Sequence, residues 1–184
     1  MDAIELLLTR RSTSVKHLAE PAPTAEELEI ILRAATRVPD HGKLTPWRIV
    51  VLNDPQKLGD IAAALFAHQY PDADEKQLAH ERHLFTRAPL VLAVIFTPKV
   101  NFKAPEWEQM LSVGAVCMNI LHACHALGYG AKWLSEWVAY RSEILTALGG
   151  GEGDKIAGFI YIGSKTEEPE DRERPELSAV VSEY

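Results

Sequence analysis

Arg10-Arg11-Ser12 sets two guanidinium groups and a hydroxyl side by side, with Thr13 and Ser14 next in line. Arginine makes planar, bidentate contacts to anions, so this turn is a candidate phosphate cradle. A plainer alternative stands beside it: arginine at a helix C-terminus complements the helix dipole. Arg37-Val-Pro-Asp-His41, followed by Gly42-Lys-Leu-Thr-Pro-Trp47, places a guanidinium and an imidazole in a loop between a helix and a strand. Loops held between rigid elements concentrate binding residues. Arg37 and His41 can therefore hydrogen-bond a heterocycle edge or a ribityl chain, or can be ordinary surface residues of a turn. Lys132-Trp133-Leu134-Ser135 follows the glycine turn Gly128-Tyr-Gly130. Glycine lets the backbone approach a flat ligand closely; the competing reading is a core tryptophan.

Two helical histidine pairs, His80 with His83 and His122 with His125, raise the question of a metal. Neither pair has an acidic or third ligand at helical spacing, so no metal is expected. No Gly-x-Ser-x-Gly elbow, Walker loop or dinucleotide fingerprint is present. Gly149-Gly-Gly-Glu-Gly153 follows a helix and precedes a strand, the reverse of a strand-loop-helix phosphate cradle, and reads as a connector.

The elements that must position these residues alternate along the chain. Asp2 to Thr9 reads as a short helix, with Ile4, Leu7 and Leu8 at helical spacing. Thr24-Ala-Glu-Glu27 is a capping box; the helix after it turns Leu28, Ile31, Leu32 and Ala35 inward and ends before Pro39. Trp47 to Leu52 is a strand rich in β-branched residues. Pro55 to about His68 and Asp74 to Thr86 read as helices. Pro89 to Phe96 is an apolar run without alternation, hence a strand buried on both faces. Glu106 to Leu127 is the longest helix and is apolar nearly all round, which places it in the core or at a subunit contact. Gly128 caps it. Ala131 to Trp137 reads as a strand, Arg141 to Leu148 as a helix, and Ile156 to Ile162 as a second buried strand. The polar tail leads to Leu177 to Tyr184, which reads as a strand. Pattern alone stops at α+β or α/β in three layers.

The chain has 184 residues and a net charge of -7. That length fits one domain, here taken as residues 1–184. An acidic surface argues against non-specific nucleic-acid or membrane binding, while leaving room for a local basic pocket. The first residues lack the charged and apolar regions of a signal peptide. No apolar run is long enough for a transmembrane helix. Cys117 and Cys124, seven residues apart, would lie roughly 10.5 Å apart along one helix, too far for a disulfide. Two free thiols suit a reducing cytoplasm.

Taken in order, the segments resemble the nitroreductase family along nearly the whole chain, and its short bacterial branch most. The matching blocks are Arg10-Arg11-Ser12; Arg37-Val-Pro-Asp-His41 with Pro46-Trp47-Arg48; Pro105-Glu-Trp-Glu-Gln109 with Ser112 and Gly114; Gly128-Tyr-Gly-Ala-Lys-Trp133; and Gly158-Phe-Ile-Tyr-Ile-Gly163. The resemblance implies an α+β fold of three layers, with a central mixed or antiparallel sheet between helices. It implies a homodimer with FMN at the interface, and a C-terminal segment, here Leu177 to Tyr184, that adds a strand to the partner's sheet. By position, Arg10, Arg11 and Ser12 would hold the FMN phosphate and ribityl chain. Trp133, Leu134 and Ser135 would lie along the same cofactor, with Arg37 and His41 reaching it from the partner. Hydride would pass from NAD(P)H through FMN to a small electron-poor acceptor by double displacement. Flavin chemistry needs no protein nucleophile, so no residue is given a catalytic role. Rival readings are a different reduction on the same scaffold, such as dehalogenation or enone reduction, and a non-catalytic dimeric flavin-binding protein. The chain departs from the family pattern at Ser14-Val15-Lys16, Thr45 and Leu134. These departures leave the phosphate short of positive charge, with Lys165 or Arg172 as possible sources.

Overall fold

The computed structural model describes residues 2–184. Along the chain come α1 (Ala3–Thr9), β1 (Leu18–Ala19), α2 (Ala25–Ala35), β2 (Trp47–Val51), α3 (Pro55–Gln69), α4 (Glu75–Arg82) and β3 (Leu90–Phe96). Then follow α5 (Glu106–Ala126), β4 (Gly130–Leu134), α6 (Ser142–Ala147), β5 (Lys155–Lys165) and α7 (Leu177–Val180).

The five strands form one sheet in which every pairing is antiparallel. β3 lies between β2 and β5. The other edge of β5 is shared, first by β4 along Phe159 to Gly163 and then by β1 along Ser164 and Lys165. This sharing carries the chain next to α1 up against the end of β4.

Strand side chains alternate between faces, and β3 and β5 use both faces for core. Val91, Ala93, Ile95, Phe159 and Tyr161 meet Leu58, Ala62, Phe85, Val138 and Ile144 on one side. Leu92, Val94, Phe96, Ile160 and Ile162 meet Ile31, Ala35, Val113, Val116 and Ile120 on the other. Burying each large apolar side chain contributes roughly 1.5–3 kcal/mol. Helices α2 and α5 therefore cover one face, and α3, α6 and the turns around them cover the other: the three layers and the α+β class expected.

The helix starts follow local chemistry. Thr24 Oγ1 accepts from the Glu27 amide at 3.2 Å while Glu27 Oε2 accepts from the Thr24 amide at 2.8 Å. Asp2 caps α1 through the Glu5 amide at 2.8 Å. Gly128, at φ +90, closes α5 as expected. Cys117 and Cys124 are buried and free, and burial pushes both thiols up to about 12.

Four expectations need correction. The helix from Asp74 does not run to Thr86: α4 stops at Arg82 and a 3-10 turn, Leu84–Thr86, drops Phe85 into the core. The strand from Ala131 does not reach Trp137. β4 ends at Leu134, and Trp137–Tyr140 is a 3-10 turn, because Glu136 takes a left-handed backbone. Ile156 to Ile162 lengthens to Lys155–Lys165, since β1 supplies partners at its far end. Leu177 to Tyr184 begins as the short helix α7, with no strand partner in this chain. A short apolar run fits either state until a neighbour chooses one.

Candidate functional site

Arg10 is the residue at which α1 ends. The chain then leaves the helix, and Thr13 donates its amide to the Ala131 carbonyl at 3.0 Å. Thr13 is buried, so the Arg10-Arg11-Ser12 turn is pinned to the start of β4. The polar tail returns to the same place. Arg11 Nε donates to the Glu170 carbonyl at 2.8 Å and lies 3.5 Å from Asp171, which in turn lies 3.5 Å from Arg174.

The result is a cavity of about 420 Å³ lined by Arg10, Arg11, Ser12, Lys132, Arg172 and Arg174. Five cations around one cavity repel one another; Asp171 offsets part of that charge at Arg11 and Arg174, and an anion in the cavity would offset more. Arg10 shows the tension most directly. Its Nη1 is buried and has no hydrogen-bond partner. Burial, and then the nearby charges of Arg11, Arg174 and Arg172, lower its pKa from the usual arginine value. The field reaches α5: burial and Arg10 lower the pKa of His122, and burial, Lys165, Arg10 and His122 lower that of His125 against the opposing pull of Glu168. A buried N–H without an acceptor, inside a ring of cations with a serine hydroxyl, fits a phosphate.

The next residue of β4 faces elsewhere. Lys132 lines the cationic cavity, while Trp133 lines a larger, mostly apolar cavity of about 580 Å³ together with Met110, Gly114, Tyr140, Arg141 and Ala157. The period of two along a strand produces this split. Trp133 Nε1 donates to the Ala157 carbonyl at 3.1 Å, which fixes the indole across β5. The close approach depends on Gly158: a Cβ there would lie 2.1 Å from Trp133 Nε1. Leu134 turns back into the core, and Ser135 Oγ receives a long contact of 3.4 Å from the Tyr140 hydroxyl.

Arg37 and His41 stand apart from both cavities. His41 Nδ1 lies 2.7 Å from Glu108 Oε2, against the exposed side of α5. With Pro39, Leu111, Ser112 and Ala115 the pair lines a shallower cavity of about 260 Å³. Asn119 Nδ2 donates to the Arg37 carbonyl at 3.2 Å and holds that loop to α5.

The structure thus gathers Arg10, Arg11 and Ser12 into one pocket, sets Trp133 on a separate cavity served by the opposite face of β4, and keeps Arg37 and His41 away from both within one chain. It also makes good the charge that Ser14-Val15-Lys16, Thr45 and Leu134 left missing. Arg172 lines the cavity, whereas Lys165 does not and is paired with Glu168 at 2.6 Å. Lys132 and Arg174 were overlooked as contributors. Arg172 and Arg174 lie in a tail segment with neither helix nor strand, and no local pattern in the sequence ties them to Arg10. Among the described residues there is no group of three or more His, Cys, Asp or Glu arranged to hold a metal ion.

An antiparallel sheet between two helical layers, with a cationic cavity and an aromatic-walled cavity lined by successive residues of one strand, defines an α+β protein with two candidate binding cavities. The chain belongs to the nitroreductase family, whose family model matches residues 7–164. It is 39% identical over 164 residues to the Escherichia coli protein named "Putative NAD(P)H nitroreductase YdjA", covering 89% of this chain and 88% of that one. Its fold matches that of a nitroreductase-like family protein from Bacillus cereus, with a TM-score of 0.81 at 19% identity, over 100% of this chain and 96% of that one. It also matches a nitroreductase with bound FMN from Bacteroides fragilis, with a TM-score of 0.73 at 21% identity, over 100% and 99% of the two chains.

Proposed function

We propose that the protein is an FMN-dependent NAD(P)H oxidoreductase that works as a homodimer, passing electrons to a small electron-poor acceptor such as a nitroaromatic or quinone-like compound. The single observation that carries this reading is the cationic cavity lined by Arg10, Arg11, Ser12, Lys132, Arg172 and Arg174, in which Arg10 also carries a buried, partnerless Nη1. The family supports it, and so do the relative named for NAD(P)H and the neighbour with FMN bound.

Arg10, Arg11 and Ser12, joined by Lys132, Arg172 and Arg174, would hold the phosphate. Trp133, Leu134 and Ser135 would lie along the rest of the cofactor. FMN, when bound there, would supply the hydride-transfer chemistry between NAD(P)H and the acceptor. The chain's own contribution is binding, orientation and charge: a cationic cavity for the anionic tail and a mostly apolar, aromatic-walled space for the planar end.

The dimer rests on apolar surface left without cover in one chain. Ile4, Leu7 and Leu8 of α1 are 65%, 58% and 75% exposed, and Trp107 and Leu111 of α5, with Leu177, Val180 and Val181 of the tail, are exposed too. Apolar groups collected in this way mark association surfaces. A second copy laid along α5 would bring its Arg37 and His41 toward the cofactor, which accounts for their separation here. We read residues 1–184 as one domain, since segments from both ends of the chain build the anion pocket. We place the protein in the reducing cytoplasm, where Cys117 and Cys124 stay as thiols; among the described residues no helix is long and apolar enough to cross a membrane.

The test is the visible absorption spectrum of the purified protein, before and after NADPH, together with its mass in solution. A yellow dimer that bleaches on addition of NADPH and recovers with a nitroaromatic or quinone is expected. A colourless monomer that ignores added FMN would overturn the proposal.

A further inference from the structure

Two residues beyond the end of β4, Glu136 adopts φ +53 and ψ 178. This is the border of a backbone region that glycine occupies almost alone, and a long side chain stays there only when its surroundings force it. The force here is a fork. Arg87 Nη1 donates to Glu136 Oε1 at 3.0 Å and Arg87 Nη2 to Glu136 Oε2 at 2.5 Å.

Arg87 is itself fixed from three directions. Its Nε donates to the Leu84 carbonyl at 2.8 Å, its Nη2 to the Tyr161 hydroxyl at 3.1 Å, and its guanidinium stands 5.0 Å from the centroid of the Tyr161 ring. Tyr161 is fully buried on β5 and pairs in register with Lys132 of β4. The anchor is therefore part of the core, and it grips the chain just beyond Trp133, Leu134 and Ser135. Burial works against the Arg87 charge, but the hydrogen bonds from Glu136 and Tyr161 outweigh it and its pKa is raised.

We propose that the Arg87–Glu136 pair is a positioning clamp for the cofactor segment: by holding the left-handed turn at Glu136 it sets the path of Trp133, Leu134 and Ser135 along the bound FMN. The clamp rests on the reading that this segment lines the cofactor. Arg87 acts through the Glu136 backbone and is a positioning residue. A pair that served only to stabilise the fold would matter through its charges; this one matters through a backbone angle. Replacing both charges while changing only the freedom of residue 136 separates the two.

The experiment compares Arg87→Leu/Glu136→Ala with Arg87→Leu/Glu136→Gly. Both variants lose the ion pair without leaving a buried charge behind. Glycine enters the left-handed turn freely, whereas alanine leaves it once the fork is gone. Titration of the FMN-free proteins with FMN should show the glycine variant within about threefold of the parent and the alanine variant weaker by about tenfold, a preference of the size that left-handed strain implies. The visible circular dichroism of bound FMN should keep the parental band shape in the glycine variant and lose it in the alanine variant. Equal affinities and equal spectra for the two variants would overturn the clamp. If the parent itself fails to bind FMN, the cofactor reading fails first, and the two failures are told apart by that control. Should loss of the pair prevent folding, Arg87→Lys breaks the fork but keeps the charge. A several-fold loss of FMN affinity with altered visible circular dichroism of the bound cofactor is then expected, and affinity and spectrum equal to the parent's overturn the proposal.

Discussion

Thr13 donates its backbone N–H to the carbonyl of Ala131 at 3.0 Å. That bond joins the residue after the Arg10-Arg11-Ser12 turn to the residue before Lys132, and so fixes two halves of the anion pocket against each other. The approach is possible because residue 130 is glycine: a Cβ there would come within 2.8 Å of Thr13 Oγ1 and 2.7 Å of Leu18 Cδ2.

Gly130→Val should therefore push the two segments apart. A loss of about 1–3 kcal/mol in stability is expected from overpacking, with weaker FMN binding alongside. Thermal melting and FMN titration check both, and a variant that binds FMN like the parent would separate the pocket from this contact.

Arg10→Met removes a buried N–H that has no partner in the ligand-free chain. Leaving such a group unsatisfied costs about 1–3 kcal/mol, so the FMN-free variant should melt no lower than the parent. FMN affinity should drop by about 1.5–3 kcal/mol, the worth of a charged hydrogen bond. Opposite signs for stability and binding are the signature; a fall in both would mean that Arg10 is structural.

Arg172→Ala and Arg174→Ala should each weaken FMN binding several-fold, and more so at low ionic strength, where charges are less screened. Lys165→Ala should leave it unchanged, because Lys165 does not line the cavity and is paired with Glu168. Isothermal titration at two salt concentrations decides the matter, and equal effects from all three would dissolve the distinction.

The pH dependence follows from α5. His122 has its pKa lowered by burial and by Arg10. His125 has its pKa lowered by burial, Lys165, Arg10 and His122, against Glu168. The unfolded chain binds these protons more readily, so stability from this source is present above about pH 6.5 and is lost as pH falls through the depressed folded values. A bound anion offsets the Arg10 charge and should raise both values. Histidine ring signals followed by NMR, with and without phosphate, give the check; values that phosphate does not move would refute the coupling.

Gly158→Ala should displace the Trp133 indole, since its Cβ would overlap Nε1. Altered tryptophan emission and a weaker FMN complex are expected. Unchanged emission would show that the indole had room to yield.

Much of this architecture was legible because local spacing dictates it. The Thr24 capping box, the two-faced apolar runs of β3 and β5 and the glycine stop at Gly128 each follow from neighbouring residues alone, and the structure shows all of them. The order of blocks from Arg10-Arg11-Ser12 to Gly158-Phe-Ile-Tyr-Ile-Gly163 was enough to point to the family. What spacing could not give was any feature whose cause lies far along the chain. Arg172 and Arg174 complete the anion pocket only because the tail folds back onto Arg11. β4 stops at Leu134, two residues before Glu136, which has a positive φ and is paired with Arg87 from a distant turn. Leu177 to Val180 forms a short helix with no buried residue. Elements of a few residues are decided by the contacts they find, and charges gather where the chain returns; both are properties of the assembled fold and of no segment within it.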